Sequence, residues 1–299
     1  MRRAAALLAS VGALSCIMLL GGCWNGRALY SLEPPFLSSL GDETGLRVSL
    51  VGAALSNGYF PRFDTGLAVE PVASLLRSAA AGGYAVVVVS PLLSFQWSQF
   101  VPSVPGTEFI LVGVPAPLGE APKNAIFLTF DRAPAFREAG RAAGKAVRGS
   151  AGAGTPPSVL GARIGVLASE GSGLAREEAE AFAHGVADVL DGARPVNRTL
   201  VPSPDSEAIR ASISQMRGEG VAVFLLGLGE RDPVGLEALR DGGGAAVVSD
   251  WQASGAFPAQ VLVSVEEDVP GGIARALAAS KSGTRSVAGP VKVVRGRKI

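Results

Sequence analysis

The runs Tyr84-Ala-Val-Val-Val-Val-Ser90 and Val221-Ala-Val-Phe-Leu-Leu-Gly227 are apolar at almost every consecutive position. A strand with one face in water alternates apolar with polar residues, so a strand apolar throughout must be covered on both faces. Helices packed on either side of a parallel sheet do this. The rest of the chain agrees. Short β-rich runs at about 47–54, 84–90, 107–113, 125–130, 162–168, 221–227, 245–249 and 260–265 alternate with amphipathic patterns at about 70–82, 132–148, 173–191, 205–218, 233–241 and 269–280. One stretch, Gly149-Ser-Ala-Gly-Ala-Gly-Thr-Pro-Pro157, can neither continue a helix nor enter a sheet. The expected fold class is therefore α/β, with two doubly wound parallel-sheet lobes. The lobes are expected at residues 47–148 and 161–255, joined by a linker at 149–160, with 256–299 returning to the first lobe and ending in a basic tail. Ligands of such sheets sit beyond the carboxyl ends of the strands, which predicts a cleft between the lobes.

The amino terminus follows a different logic. Arg2 and Arg3 precede an apolar stretch from Ala4 to Leu20, and Leu20-Gly21-Gly22-Cys23 closes it. That is the pattern of a bacterial lipoprotein export signal, in which a thiol takes the lipid and small side chains give a peptidase access to the backbone. Residues 1–22 are expected to be removed, leaving Cys23 as the lipidated mature terminus of an envelope protein. An uncleaved membrane helix is the alternative, but the run is shorter than the roughly 20 residues that span a bilayer. Residues 23–46, with Gly26, Pro34, Pro35 and Gly41, have no periodicity and are expected to form a tether.

Composition excludes several chemistries. Cys16 leaves with the signal and Cys23 is spent on lipid, so the folded part offers no disulfide, thiol nucleophile or cysteine metal site. His184 is the only histidine, and helical spacing from Phe182 turns it toward solvent. A triad or a histidine zinc site would rest on that one residue, so catalytic and metal residues are expected to be none, and no cofactor is implied. The formal net charge is +1, and losing Arg2 and Arg3 takes it to about −1, which argues against nucleic acid. Arg285, Lys292, Arg295, Arg297 and Lys298 are read as a solvated tail, and Glu177, Glu178 and Glu180 as a solvated helix face.

In order, the segments resemble the basic membrane lipoprotein family. Gly83-Tyr-Ala-Val-Val-Val-Val, Phe109-Ile-Leu-Val-Gly113, Pro122-Lys-Asn-Ala-Ile126 and the helix with Ala139-Gly140 and Ala143-Gly144 match its first half. Ile164-Gly-Val-Leu, Phe182-Ala-His-Gly185, Leu226-Gly-Leu-Gly229, Val248-Ser-Asp250 and Val261-Leu-Val-Ser264 match its second. The resemblance covers most of residues 72–280. It implies a type I periplasmic-binding-protein-like fold, a nucleoside ligand, and delivery to an ABC permease. Phe182 and Asp250 are the site residues that carry over by motif, the carboxylate toward ribose hydroxyls and the ring toward the base. Three departures stand against this. The first strand and the helix near Glu70 leave little room for a helix and second strand, Gly113 replaces an acidic residue, and Glu267 falls where the family has lysine. Tyr59, in Asn57-Gly-Tyr-Phe60, is the one candidate for the missing ligand-gripping loop.

Strand-end positions complete the expected site. Ser90 closes its strand, Glu170 follows another, Gly227 and Gly229 form a turn after a third, and Trp251 adjoins Asp250 where it can stack on a ligand or simply pack. Gly140-Arg-Ala-Ala-Gly144-Lys145 has the wrong spacing for a phosphate loop and is read as helix packing through small residues. The function expected is capture of a small polar ligand for an importer, without chemistry. The alternative is an envelope lipoprotein whose degenerate cleft serves as a sensor or interaction surface.

Overall fold

The computed structural model describes residues 25–33, 36–37, 40, 42–64, 72, 75, 79, 82–150, 163–170, 174–249 and 255–295. They group into two compact units, one within Met1–Pro34, Thr44–Thr129 and Pro270–Val287, the other within Pro35–Glu43, Phe130–Val269 and Ala288–Ile299.

The first unit holds a six-stranded sheet. Its strands are β1 (Gly26–Ser31), β2 (Tyr59–Asp64), β3 (Val86–Val89), β4 (Glu108–Val112), β5 (Ala125–Phe130) and β11 (Ser286–Gly289), in the order β11-β5-β4-β3-β1-β2. The pairs from β5 through β4, β3 and β1 to β2 are all parallel. Helix α1 (Glu43–Ser56) follows β1, and a short helix α2 (Pro91–Ser94) follows β3. Every residue of β3 is buried, as its unbroken apolar run requires. Leu29, Val87, Val89, Phe109, Leu111 and Phe127 turn to one face, where Leu75, Ala79, Leu93 and Phe100 cover them. Tyr30, on the other face of β1, donates its hydroxyl to the Leu50 carbonyl of α1 at 3.0 Å, and burial pushes that phenol's pKa well up.

The second unit repeats the plan with β6 (Arg163–Ser169), β7 (Val196–Leu200), β8 (Val221–Gly227), β9 (Ala245–Val248), β10 (Val261–Glu267) and β12 (Val291–Arg295), in the order β12-β10-β9-β8-β6-β7. Only β12 runs antiparallel. Its helices are α3 (Ala133–Ser150), α4 (Arg176–Ala187), α5 (Ser206–Gly218) and α6 (Asp232–Gly242). Alternation along the strands sorts the core. Ile164, Val166, Val223, Leu225 and Val263 meet α3 and α4, while Leu167, Phe224, Leu226 and Val248 meet α5 and α6. Helix α7 (Val269–Ala279) follows β10.

Glycine lets α3 and α4 approach at backbone distance. A Cβ at Gly140 would strike the Phe182 carbonyl, and one at Gly185 would strike the Arg137 carbonyl. Arg137 and Arg141 fix the register by binding the Asp188 carboxylate, with Nε to Oδ2 at 3.0 and 2.9 Å. Those hydrogen bonds, Arg137 first, hold the Asp188 carboxyl below the usual range. Helix packing through small residues is thus what the structure shows for Gly140 and Gly144.

Several expectations need correction. Residues 23–46 are not all tether, since Gly26–Ser31 is the interior strand β1, between β2 and β3. The run expected as a strand at 47–54 is α1, with Leu46, Leu50, Ala53 and Ala54 buried at helical spacing. The helix and second strand that were thought missing are therefore present, as α1 and β2. Helix α3, expected in the first lobe, lies in the second unit. Beyond residue 256 the chain completes β10 in the second unit before it returns to the first. The basic tail is not free either: Arg285 pairs with Glu108, Lys292 with Asp268 at 3.0 Å, and Val291–Arg295 is β12. The segment 151–160 lies outside the described residues. Among the described residues, no helix is long and apolar enough to cross a membrane.

Candidate functional site

In each unit one strand is flanked by both of its sequence successors, because the chain reverses its direction of travel across the sheet. Here β1 lies between β2 and β3, and β6 between β7 and β8. The crevice at the carboxyl ends of such a strand pair is where open α/β sheets hold ligands.

At the first of these points, β1 runs out through Ser31 and Leu32 into Glu33. The Leu32 amide donates to the Asp64 carbonyl at the end of β2 (3.3 Å), and the Ser90 amide beyond β3 donates to the Ser31 carbonyl (3.1 Å). These bonds bring Glu33, Asp64 and Ser90 to one sheet edge. Ser90 is fully buried and precedes α2, but its hydroxyl does not cap that helix. Among the described residues, neither Ser90 Oγ nor Glu33 Oε1 has a hydrogen-bond partner, although both atoms are shut off from solvent. Unpartnered buried polar atoms are rare in native proteins and call for a specific explanation. Beside them α2 exposes Leu92 and Phe95. Trp97 instead meets Phe127 edge-on at 5.8 Å and packs against the core.

At the second point, Glu170 is exposed beyond β6 and its amide donates to the Leu200 carbonyl (3.1 Å). Gly227 closes β8, where any side chain would run into Leu174. Gly229 has φ +61°, which starts a tight 3-10 turn, and the buried Asp232 carboxylate accepts from the Leu228 amide at 2.8 Å. This turn shapes the edge through packing and backbone conformation.

A charged cluster in the second unit centres on Arg132. Arg132, just before α3, has Nε 3.3 Å from Glu178 Oε1 and Nη1 3.8 Å from Glu267 Oε1 at the end of β10. The Arg132 Nε is close enough for charge attraction but not aligned for a hydrogen bond. Glu178 is buried rather than solvated, and its Oε2 accepts from the Ala175 amide at the start of α4 (3.1 Å). Glu177 and Glu180 are exposed as expected, and so is His184. Burial raises the pKa of Glu267 above the usual range, Arg132 works against the rise, and Glu178 adds to it.

Two of the expected ligand contacts lie elsewhere. Phe182 has no exposed surface and belongs to the core of the second unit, so it offers no face to a solute. Tyr59 opens β2 at the amino edge of a parallel sheet, and its hydroxyl bonds Ser280 Oγ at 3.0 Å. With β1 at Gly26–Ser31, the loop after the first strand begins at Leu32 and carries Glu33, so Tyr59 lies at the other end of the sheet from it. Asp250 and Trp251 follow β9 in sequence but lie outside the described residues, as does Cys23. Glu33 and Arg132 share one signal in the sequence, a charged side chain two positions past a strand end.

Neither a family model nor a curated protein sequence matches the chain. Solved structures do. A solute-binding protein of an ABC transporter system from Aeropyrum pernix K1 is 16% identical, with TM-score 0.61, over 90% of this chain and 76% of that one. A periplasmic ribose ABC transporter protein from Conexibacter woesei is 16% identical, with TM-score 0.59, over 92% and 94%. A transcriptional activator of the comK gene from Bacillus halodurans is 16% identical, with TM-score 0.66, over 92% of both chains. At such identities the likeness is one of fold. The fold is of the type I periplasmic-binding-protein kind, with two parallel-dominated sheets and helices on both faces.

Proposed function

We propose that this chain is a solute-binding protein that captures a small polar ligand at the carboxyl edges of its sheets and passes it to an ABC permease. The observation that carries the reading is the unpartnered, buried pair of Ser90 Oγ and Glu33 Oε1 at the β1/β3 reversal, a place where this fold class holds ligands. Fold likeness to transport proteins supports it, one of them named for ribose.

Cys23 serves as the lipid anchor in this proposal, and the basic membrane lipoprotein family remains the suggested kinship, with nucleosides among the candidate ligands. Asp250, two residues beyond β9 in sequence, is the carboxylate that this kinship assigns to ribose hydroxyls. Each such charge-assisted bond is worth about 1.5 to 3 kcal/mol, so Asp250→Ala should weaken nucleoside binding at least roughly tenfold. Calorimetry with a nucleoside and sugar panel tests this. Saturable binding untouched by Asp250→Ala removes the assignment of Asp250.

A second reading, a sensor or interaction protein with a degenerate cleft, draws on Gly113 and Glu267 standing where the resembled family has an acid and a lysine. Binding of no solute, with a neighbouring gene for a signalling partner and none for a permease, would favour it.

A further inference from the structure

We propose that the solute carries a positive charge, an ammonium or similar cation, and that Glu33 receives it at the β1/β3 crevice. This rests on the solute-binding reading and names the ligand class of the same site.

Glu33 has one carboxylate oxygen left without a partner. Its Oε1 is shut off from solvent and has no hydrogen-bond partner among the described residues, although the side chain as a whole is only half-buried. Taking a carboxylate oxygen out of water is costly unless a donor or an opposite charge replaces the lost hydration. The arginines on β1 and α1 do not serve. Arg27 lies at the opposite end of β1, bonded to the Gly82 carbonyl and stacked 4.8 Å from the Tyr84 ring centre, and Arg47 lies 5.4 Å from that of Phe63. Beside Glu33, the buried Ser90 hydroxyl has its own acceptor lone pairs unmet. An ammonium group brings three donors and the missing charge to both. A neutral hydroxyl would satisfy the hydrogen bonds but leave the charge uncompensated.

The test is calorimetry on the purified full chain with putrescine, L-lysine and choline against D-ribose, D-galactose and adenosine. A cationic probe should bind, Glu33→Gln should weaken it at least tenfold, and Ser90→Ala should weaken it several-fold. Glutamine keeps the shape and an acceptor oxygen, so a neutral ligand held only by hydrogen bonds would change little. The melting temperature of Glu33→Gln, measured alongside, separates a loss of binding from a loss of fold. Binding by the unsubstituted protein should also weaken as salt rises, which tests the charge without any variant. Binding of neutral probes alone, or cation binding indifferent to Glu33→Gln and to salt, overturns the cationic proposal and leaves the solute-binding reading intact. Binding of none of the six removes both.

Discussion

Replacing Gly185 by alanine sets two known effects against each other. In an exposed helix interior this change stabilises by about 1 kcal/mol, because glycine has the larger conformational freedom to lose on folding. At Gly185 the new methyl group would collide with the Arg137 carbonyl of α3, a backbone atom that no rotamer change can move. Helices α3 and α4 must then separate, loosening the contacts among Phe136, Ala139, Ala143, Phe182 and Val186 and the grip of Arg137 and Arg141 on Asp188. Overpacking of this kind costs about 1 to 3 kcal/mol even where side chains can yield, so the steric effect should prevail and the net change be destabilising by about 1 to 3 kcal/mol. Gly52 is the control, since on α1 a Cβ would meet nothing within 4 Å. Gly52→Ala should stabilise by about 0.5 to 1 kcal/mol. Urea unfolding followed by circular dichroism measures both. If Gly185→Ala proved neutral or stabilising, the close backbone contact between α3 and α4 would be wrong.

Phe182→Ala should destabilise by about 3 to 5 kcal/mol through the cavity it leaves, and should leave ligand affinity unchanged in the variant's folded fraction, as denaturation and calorimetry together would show. Glu267 has a raised pKa in the folded state, so its contribution to stability is fully present below the unfolded carboxyl pKa and is lost as pH rises through the raised folded value. Glu267→Gln should therefore flatten the pH dependence of stability above the ordinary carboxyl range; an unchanged slope there would remove the assignment. Asp188 has the opposite sign. Its lowered pKa gives a contribution present above the unfolded value and lost as pH falls through the folded one, and Asp188→Asn should abolish that acid-side loss. Cys23→Ser should block incorporation of labelled fatty acid, and continued labelling would refute the lipid anchor.

What was legible in the sequence was whatever burial imposes on a pattern. Strands β3 and β8 are apolar on both faces, and their short length, β-branched or aromatic residues and bounding Gly or Ser mark them as buried strands. Helices α3 to α6 declared themselves by amphipathic spacing, and Asp205 caps α5 by accepting from the Ala208 amide. Strand β1 was hidden because Arg27 interrupts it and two prolines follow within four residues of its end. Helix α1 carries Val48 and Val51, whose branching favours strands, and it was read by residue type when the period of Leu46, Leu50, Ala53 and Ala54 held the answer. Strand β7 is a sheet edge with no fully buried residue, and so has no apolar run to detect. Site residues fared less well because a ligand-facing carboxylate and a solvated one look alike in sequence. Ser90, Glu170, Gly227 and Gly229 were placed at strand ends by position, while Glu33 and Arg132 become visible only once the strand order shows where the chain reverses.

The central claim, that this protein holds a solute, is tested most directly by a thermal-shift screen of the full chain against small polar metabolites, cationic and neutral. A ligand at 100 times its Kd stabilises the folded state by about 2.7 kcal/mol, a rise in Tm of several degrees that grows with concentration. At least one such compound is expected, and its shift should diminish in Glu33→Gln. A melting temperature unmoved by every compound would contradict the account.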